Sequence, residues 1–182
     1  MDHFKRFNDT AGHVAGDACL KGIAACLAGT FPEKGVTVAR LGGEEFALLA
    51  PDAPPETMLA IGERARAAVE AMAWAHPGRS DGASVVTISV GVASVVPGPG
   101  LQAADLLRVA DAALYESKNS GRNAVTGRPA LPLPDRIRPP LRAVSDLIAS
   151  GQELPFGMIP DFHRGYRNSS IVLQNIATGA QP

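Results

Sequence analysis

The sequence of 182 residues is poor in the features that mark redox, membrane or nucleic-acid proteins. Cys19 and Cys26 are its only cysteines, seven apart in a helical pattern, with no Cys-x-x-Cys and no adjacent histidine. A disulfide scaffold and the usual zinc spacings are thereby excluded, and buried thiols are expected. No apolar run approaches the ~20 residues that span a bilayer, and the amino terminus has no apolar stretch behind its basic residues to serve as a secretory signal. A cytoplasmic segment without direct membrane contact is expected, a membrane anchor further upstream in a longer protein being compatible with it. The formal net charge of -1 lacks the basic excess of a surface that coats nucleic acid.

What is present suffices for one ordinary core: 46% of residues are hydrophobic and 19% charged. Composition changes near residue 126, because eight of the fifteen prolines and six arginines fall in 127–182. Residues 1–126 are therefore expected to form the domain. Residues 127–182 are expected to be a loosely ordered Pro/Arg-rich tail, with a polyproline-like linker over 128–140 and a short amphipathic helix over 141–148.

Within the domain, Cys19, Leu20, Ile23, Ala24 and Leu27 follow the i, i+3, i+4 spacing of a helix that Phe31-Pro32 closes. Val36 to Arg40 and Glu45 to Ala50 predict a hairpin turning through Leu41-Gly42-Gly43-Glu44, where glycine permits the positive φ of a tight reversal. A second helix is predicted from Pro55 through Met72, a strand over Ser84–Ala93, and a third helix from Ala103 to Ser120 that Gly121 ends. Asn123-Ala124-Val125 starts a last short strand. This order predicts an α+β layer of helices on one sheet, with a gap at its start, because no strand leads into the first helix.

The chemistry lies in a few clusters. Glu44 and Glu45 follow two glycines at the hairpin tip, and paired carboxylates on such a turn suit a hard divalent cation that also binds phosphate oxygens. Lys118 and Arg122, one helical turn apart, suit a polyphosphate. Asn8 and Asp17 carry the amide and carboxylate that pair with a guanine edge. Taken singly, an exposed turn and a helix-dipole pair explain these residues equally well. Together they fit a purine nucleoside triphosphate.

The run Asp2-His3-Phe4-Lys5-Arg6-Phe7-Asn8-Asp9-Thr10-Ala11-Gly12-His13-Val14-Ala15-Gly16-Asp17 resembles the D-x-F-K-x-x-N-D-x-x-G-H-x-x-G-D pattern of the GGDEF domain family, the bacterial diguanylate cyclases. Gly42-Gly43-Glu44-Glu45-Phe46 resembles its signature in the GGEEF form, Thr87-Ile88-Ser89-Val90-Gly91 its T-x-S-x-G strand, and Ala110 through Asn123 its A-D-x-A-L-Y-x-A-K-x-x-G-R-N ending. The resemblance covers residues 1 to about 126. It implies a palm-like, ferredoxin-related sheet with flanking helices that condenses two GTP into cyclic di-GMP and two pyrophosphates. A homodimer with Mg²⁺ or Mn²⁺ would carry this out, in second-messenger signalling and without nucleic acid.

By position, the resemblance implies that Glu44 ligands metal and helps deprotonate the attacking hydroxyl, and that Glu45 supports the metal and ribose side. Asn8 and Asp17 would read guanine. Phe4 and Lys5 would lie along the phosphates, with Lys5 stabilising transition-state charge, and Gly42 and Gly43 would pass close to the nucleotide. Lys118 and Arg122 would hold the terminal phosphates. For His13 two roles stay open, a nucleotide contact or a hydrogen bond within its loop.

The sequence departs from the family pattern in two places. Of its D-x-D-x-F-K, only the second aspartate, Asp2, is present; the first would precede Met1, whose backbone carbonyl takes a metal-ligand position. The central first strand is therefore expected to be missing, its neighbours unpaired and the chain inactive. Either the protein begins upstream or the chain is a decayed gene product, and the intact motifs favour the former. The alternative function is a catalytically silent GTP-binding or dimerisation module; an adenylyl cyclase or polymerase relative fits Asn8, Asp17 and GGEEF less well. The second departure is Glu33-Lys34-Gly35-Val36, where many members carry an inhibitory R-x-x-D, so no product inhibition through that site is expected.

Overall fold

The computed structural model describes residues 1–32, 35–95, 103–129 and 169–174. Helix α1 spans Phe4–Ala11, a stretch with no predicted helix, and its only buried residue is Phe7. Its end is set by Gly12, whose φ of 84° lets the backbone N–H turn back to the Asn8 carbonyl. Helix α2, His13–Thr30, starts six residues before the predicted apolar pattern and buries Gly16, Cys19, Leu20, Ile23 and Leu27 along one stripe.

The predicted hairpin forms from β1 (Thr37–Gly42) and β2 (Glu45–Leu49), with Thr37 opposite Leu49 and a register shift between Arg40 and Gly42. In β2 the alternation is regular: Phe46 and Leu48 are buried and the residues between them partly so. Helix α3, Pro55–Ala71, has proline in its first turn and buries Met58, Gly62, Ala65 and Val69. Strand β3 is Val90–Val95 rather than 84–93. The run before it is extended but pairs elsewhere: Val86 N–H donates to the Trp74 carbonyl and Asp2 N–H to the Thr87 carbonyl. Helix α4, Ala103–Asn119, leads into β4, Val125–Pro129, which runs parallel to β3. Arg128 and Pro129 thus belong to the sheet and not to the predicted linker.

Strand β5, Ser169–Gln174, comes from the tail and completes a sheet of order β1-β2-β5-β3-β4. It is antiparallel to β2 from Phe46↔Gln174 to Leu49↔Ile171, and antiparallel to β3 from Val90↔Gln174 to Val95↔Ser169. The expected gap at the centre of the sheet is therefore filled, and β2 and β3 are not left unpaired. The sequence reading missed this strand because its β-prone run, Ile171-Val172-Leu173, is short and set in a tail without periodicity. The predicted 141–148 helix lies outside the described residues.

Helices cover both faces. A Cβ built on Gly62 of α3 would sit 3.0–3.3 Å from Val125, Val92 and Val90. One built on Gly91 would stand 2.1 Å from the Ala110 carbonyl oxygen and 2.4 Å from the Leu114 nitrogen of α4. Neighbouring strand residues face opposite sides, so α3 and α4 sandwich β3. The larger core, with Phe46, Leu48, Val90 and Val92, lies on the α2–α3 side. The smaller, with Ala93, Leu106 and Ala110, lies under α4. Among the described residues no helix is long and apolar enough to cross a membrane.

Candidate functional site

The hairpin tip Gly42-Gly43-Glu44-Glu45 lines an open depression of about 270 Å³. Gly43 takes φ 49°, and the Arg40 guanidinium closes the turn by donating to the Gly43 carbonyl from Nε at 2.9 Å and a terminal nitrogen at 2.5 Å. The two glutamates are half-buried and close enough to repel: burial and then the Glu44 carboxylate push Glu45 above the usual carboxylate range. Lys118 of α4 faces the same charges. Its burial lowers its pKa, and Glu44 opposes that shift more than any other carboxylate does. Arg122 adds positive charge beside it.

Two elements bring these groups together. Chain residues Met1 and Asp2 are buried beneath the tip, and the Met1 nitrogen lies 3.5 Å from the Glu44 carbonyl oxygen. Burial pushes that amine down to about 5. The second element is the turn after α4, where Gly121, Arg122 and Asn123 all take positive φ. Asn123 is held on both sides: its side-chain amide donates to Glu70 at 2.7 Å, and its Oδ1 accepts from Arg66 at 2.8 Å. Its backbone N–H donates to Asp2 at 3.2 Å.

Asp2 is the centre of this scaffold. Its carboxylate is buried and accepts from Thr87 Oγ1 at 2.8 Å and Ser89 Oγ at 2.7 Å. Thr87 in turn accepts from Arg79 at 2.6 Å. The sequence reading quoted Asp2, Thr87 and Ser89 in motifs without giving them a role. The T-x-S spacing was the signal, since residues two apart in an extended run share a face. Asp111 was also missed. It lies half-buried on α4, where burial and then Glu45 push it up to about 6.

The other candidates form a second group on α1 and α2. Asn8 and Phe4 meet at Gly16, where a Cβ would come within 1.9 Å of Asn8 Oδ1 and 3.3 Å of the Phe4 ring. Glycine is required there for the two helices to close around the amide, whose Oδ1 is buried and has no hydrogen-bond partner among the described residues. Asp17 follows Gly16 on α2 and is exposed, as is Lys5 on α1. His13 is the exposed first residue of α2 and not part of a loop. Met1, the candidate backbone ligand, is fully buried, with its sulfur 3.7 Å from Cys19 Sγ.

No group of three or more His, Cys, Asp or Glu able to hold a metal occurs among the described residues. The tip nevertheless suits a hard cation, because two mutually repelling carboxylates on a solvent-open turn are relieved by one, and phosphate oxygens can complete its shell.

An acidic glycine turn thus faces a lysine near the end of α4, with an arginine in the turn that follows, on a palm-like sheet. The chain belongs to the GGDEF domain family, described as the diguanylate cyclase GGDEF domain, whose model matches residues 1–124. It is 38% identical over 125 residues to the diguanylate cyclase VdcA of Vibrio cholerae, covering 69% of this chain and 36% of that protein. It is 42% identical over 132 residues to the response regulator PleD of Caulobacter vibrioides, covering 71% and 28%. The chain thus spans about a third of the length of these relatives or less. Among solved structures, it resembles the coiled coil and GGDEF domain of DgcB from Caulobacter crescentus in complex with c-di-GMP, with TM-score 0.59, 33% identity and coverage of 70% of this chain and 65% of that one. The active GGEEF domain of a diguanylate cyclase from Vibrio cholerae gives TM-score 0.52 at 27% identity, with coverage of 69% and 76%.

Proposed function

We propose that this chain provides the catalytic domain of a diguanylate cyclase, in which two GTP molecules condense to cyclic di-GMP with release of two pyrophosphates. The supporting observation is the convergence of Glu44 and Glu45 at the hairpin tip with Lys118 near the end of α4, which Arg122 of the following turn flanks. Opposite charges converge there from two parts of the chain, as a Mg²⁺-bound or Mn²⁺-bound triphosphate requires.

In this reading Lys118 and Arg122 bind the β- and γ-phosphates, while Asn8 and Asp17 orient guanine through donors that adenine lacks. Phe4 and Lys5 flank the phosphate chain, and Gly42 and Gly43 let it approach the backbone. Glu44 accepts the 3′-hydroxyl proton as that oxygen bonds to the α-phosphorus of the second GTP and the bond to pyrophosphate breaks. Glu45 steadies the tip, and His13 contacts the nucleotide from the α2 end. A divalent cation held by Glu44, Glu45 and the Met1 carbonyl would neutralise phosphate charge and acidify the hydroxyl. The remainder is positioning: each domain presents one GTP, so two copies must face each other.

The test compares the 182-residue chain with one extended upstream by an apolar strand ending in Leu-x-Asp, both given GTP and Mg²⁺. The extended protein is expected to yield cyclic di-GMP and the shorter chain none. Glu44→Gln should reduce turnover by about 100-fold or more, and ATP should not substitute. A folded, extended protein that binds GTP without making product would establish the second reading, a silent GTP-binding module. That reading draws on the fact that, among the described residues, Glu44 and Glu45 are the only carboxylates lining the tip depression. Cyclic di-GMP should not inhibit through residues 33–36, which titration with product would check.

A further inference from the structure

Strand β5 joins two parts of the molecule that the rest of the described sheet leaves separate. The hairpin β1–β2 carries Glu44 and Glu45, and β3–β4 with α4 carries Lys118 and Arg122. Among the described strands, no pairing links β2 directly to β3; both pair only through β5. Its last residue, Gln174, stands in register with Phe46 and with Val90. Phe46 adjoins Glu45 in sequence, and Val90 adjoins Gly91, where α4 packs backbone to backbone. The strand therefore ends level with both halves of the candidate site.

We propose that Ser169–Gln174 acts as a tethered donor strand: it occupies the central slot of the sheet, holds the acidic hairpin in register with the basic helix, and can be displaced by another strand running in the same direction. In sequence it is separated from β4 by residues 130–168. A central strand pairs on both edges and its loss opens both neighbours, whereas an edge strand would open only one. The slot accepts one strand at a time, because β2 and β3 offer one pair of facing edges about two strand spacings apart. The inference rests on backbone pairing alone and is tested without nucleotide, so its failure would leave the catalytic reading standing.

The experiment is hydrogen exchange by mass spectrometry on the full 182-residue chain. Amides of 169–174 should be protected together with those of Phe46–Leu49 and Val90–Val95. In the full chain carrying Val172→Pro, which removes a ladder donor at the middle of β5, exchange in β2 and β3 should accelerate by about tenfold or more. A peptide spanning residues 166–177 should restore protection of β2 and β3. If the variant does not fold, the upstream-extended chain decides: residues 169–174 should then exchange as free peptide while β2 and β3 stay protected. Free exchange of 169–174 in the unaltered chain, or continued protection of 169–174 in the extended chain, would overturn the proposal.

Discussion

The floor and the rim of the site use the same functional group to opposite ends. At the floor, the Asp2 carboxylate is buried and accepts from two hydroxyls and a backbone N–H. At the rim, Glu44 and Glu45 sit on an open glycine turn, and burial together with the nearness of Glu44 raises the pKa of Glu45. A carboxylate matched by donors ties segments together, whereas carboxylates that repel one another favour an incoming cation. Position in a motif does not separate these roles; the partners do.

The largest expected effect tests the contact on which the rim depends. Gly91→Ala would place a methyl 2.1 Å from the Ala110 carbonyl oxygen, so α4 must move off β3. A loss of about 3 kcal/mol or more is expected by chemical denaturation, together with impaired GTP binding because Lys118 and Arg122 move with the helix. Next comes the same carboxylate-to-amide exchange at the two levels. Asp2→Asn should cost about 2 kcal/mol, since an amide N–H would face hydroxyl donors in a buried network. Glu44→Gln should leave the melting temperature nearly unchanged while removing the turnover of the upstream-extended protein. Equal losses of stability at both positions would erase the distinction between floor and rim.

The smallest effect is expected at Asp111, half-buried on α4 beside the rim charges. Its folded pKa is raised to about 6 from 3.8, so the folded state holds a proton over that interval that the unfolded chain has released. Stability from this group is therefore present below about pH 4 and declines as pH rises through 6. Asp111→Asn should stabilise the protein by about 1 kcal/mol at pH 7.5, allowing for solvent screening of a half-buried group, and by nothing near pH 3.5. Thermal melts at the two pH values would check this.

Much of the domain was legible because local rules and tertiary packing agree. The α2 stripe, the Gly42-Gly43 hairpin, α3 behind its proline and α4 stopping just before Gly121 follow from spacing and turn chemistry. Helix α1 was not legible, since eight residues with one buried side chain carry too little periodicity. The β-branched content of 84–89 predicts a strand. In the fold this run contributes one isolated bridge, Ala75 to Val85, and hydrogen bonds to the buried chain start.

Taken by itself, the sequence determined the family, the hairpin tip and the basic end of α4, because each is written in contiguous residues whose chemistry is local. Only the tertiary structure decided what fills the centre of the sheet and which carboxylate serves as scaffold. Strand pairing and buried hydrogen bonding depend on segments far apart in the chain: Gln174 meets Phe46, and Asp2 meets Ser89 and Asn123. A short run such as Ile171-Val172-Leu173 becomes a strand because two open edges accept its backbone, a condition that nothing within the run itself records.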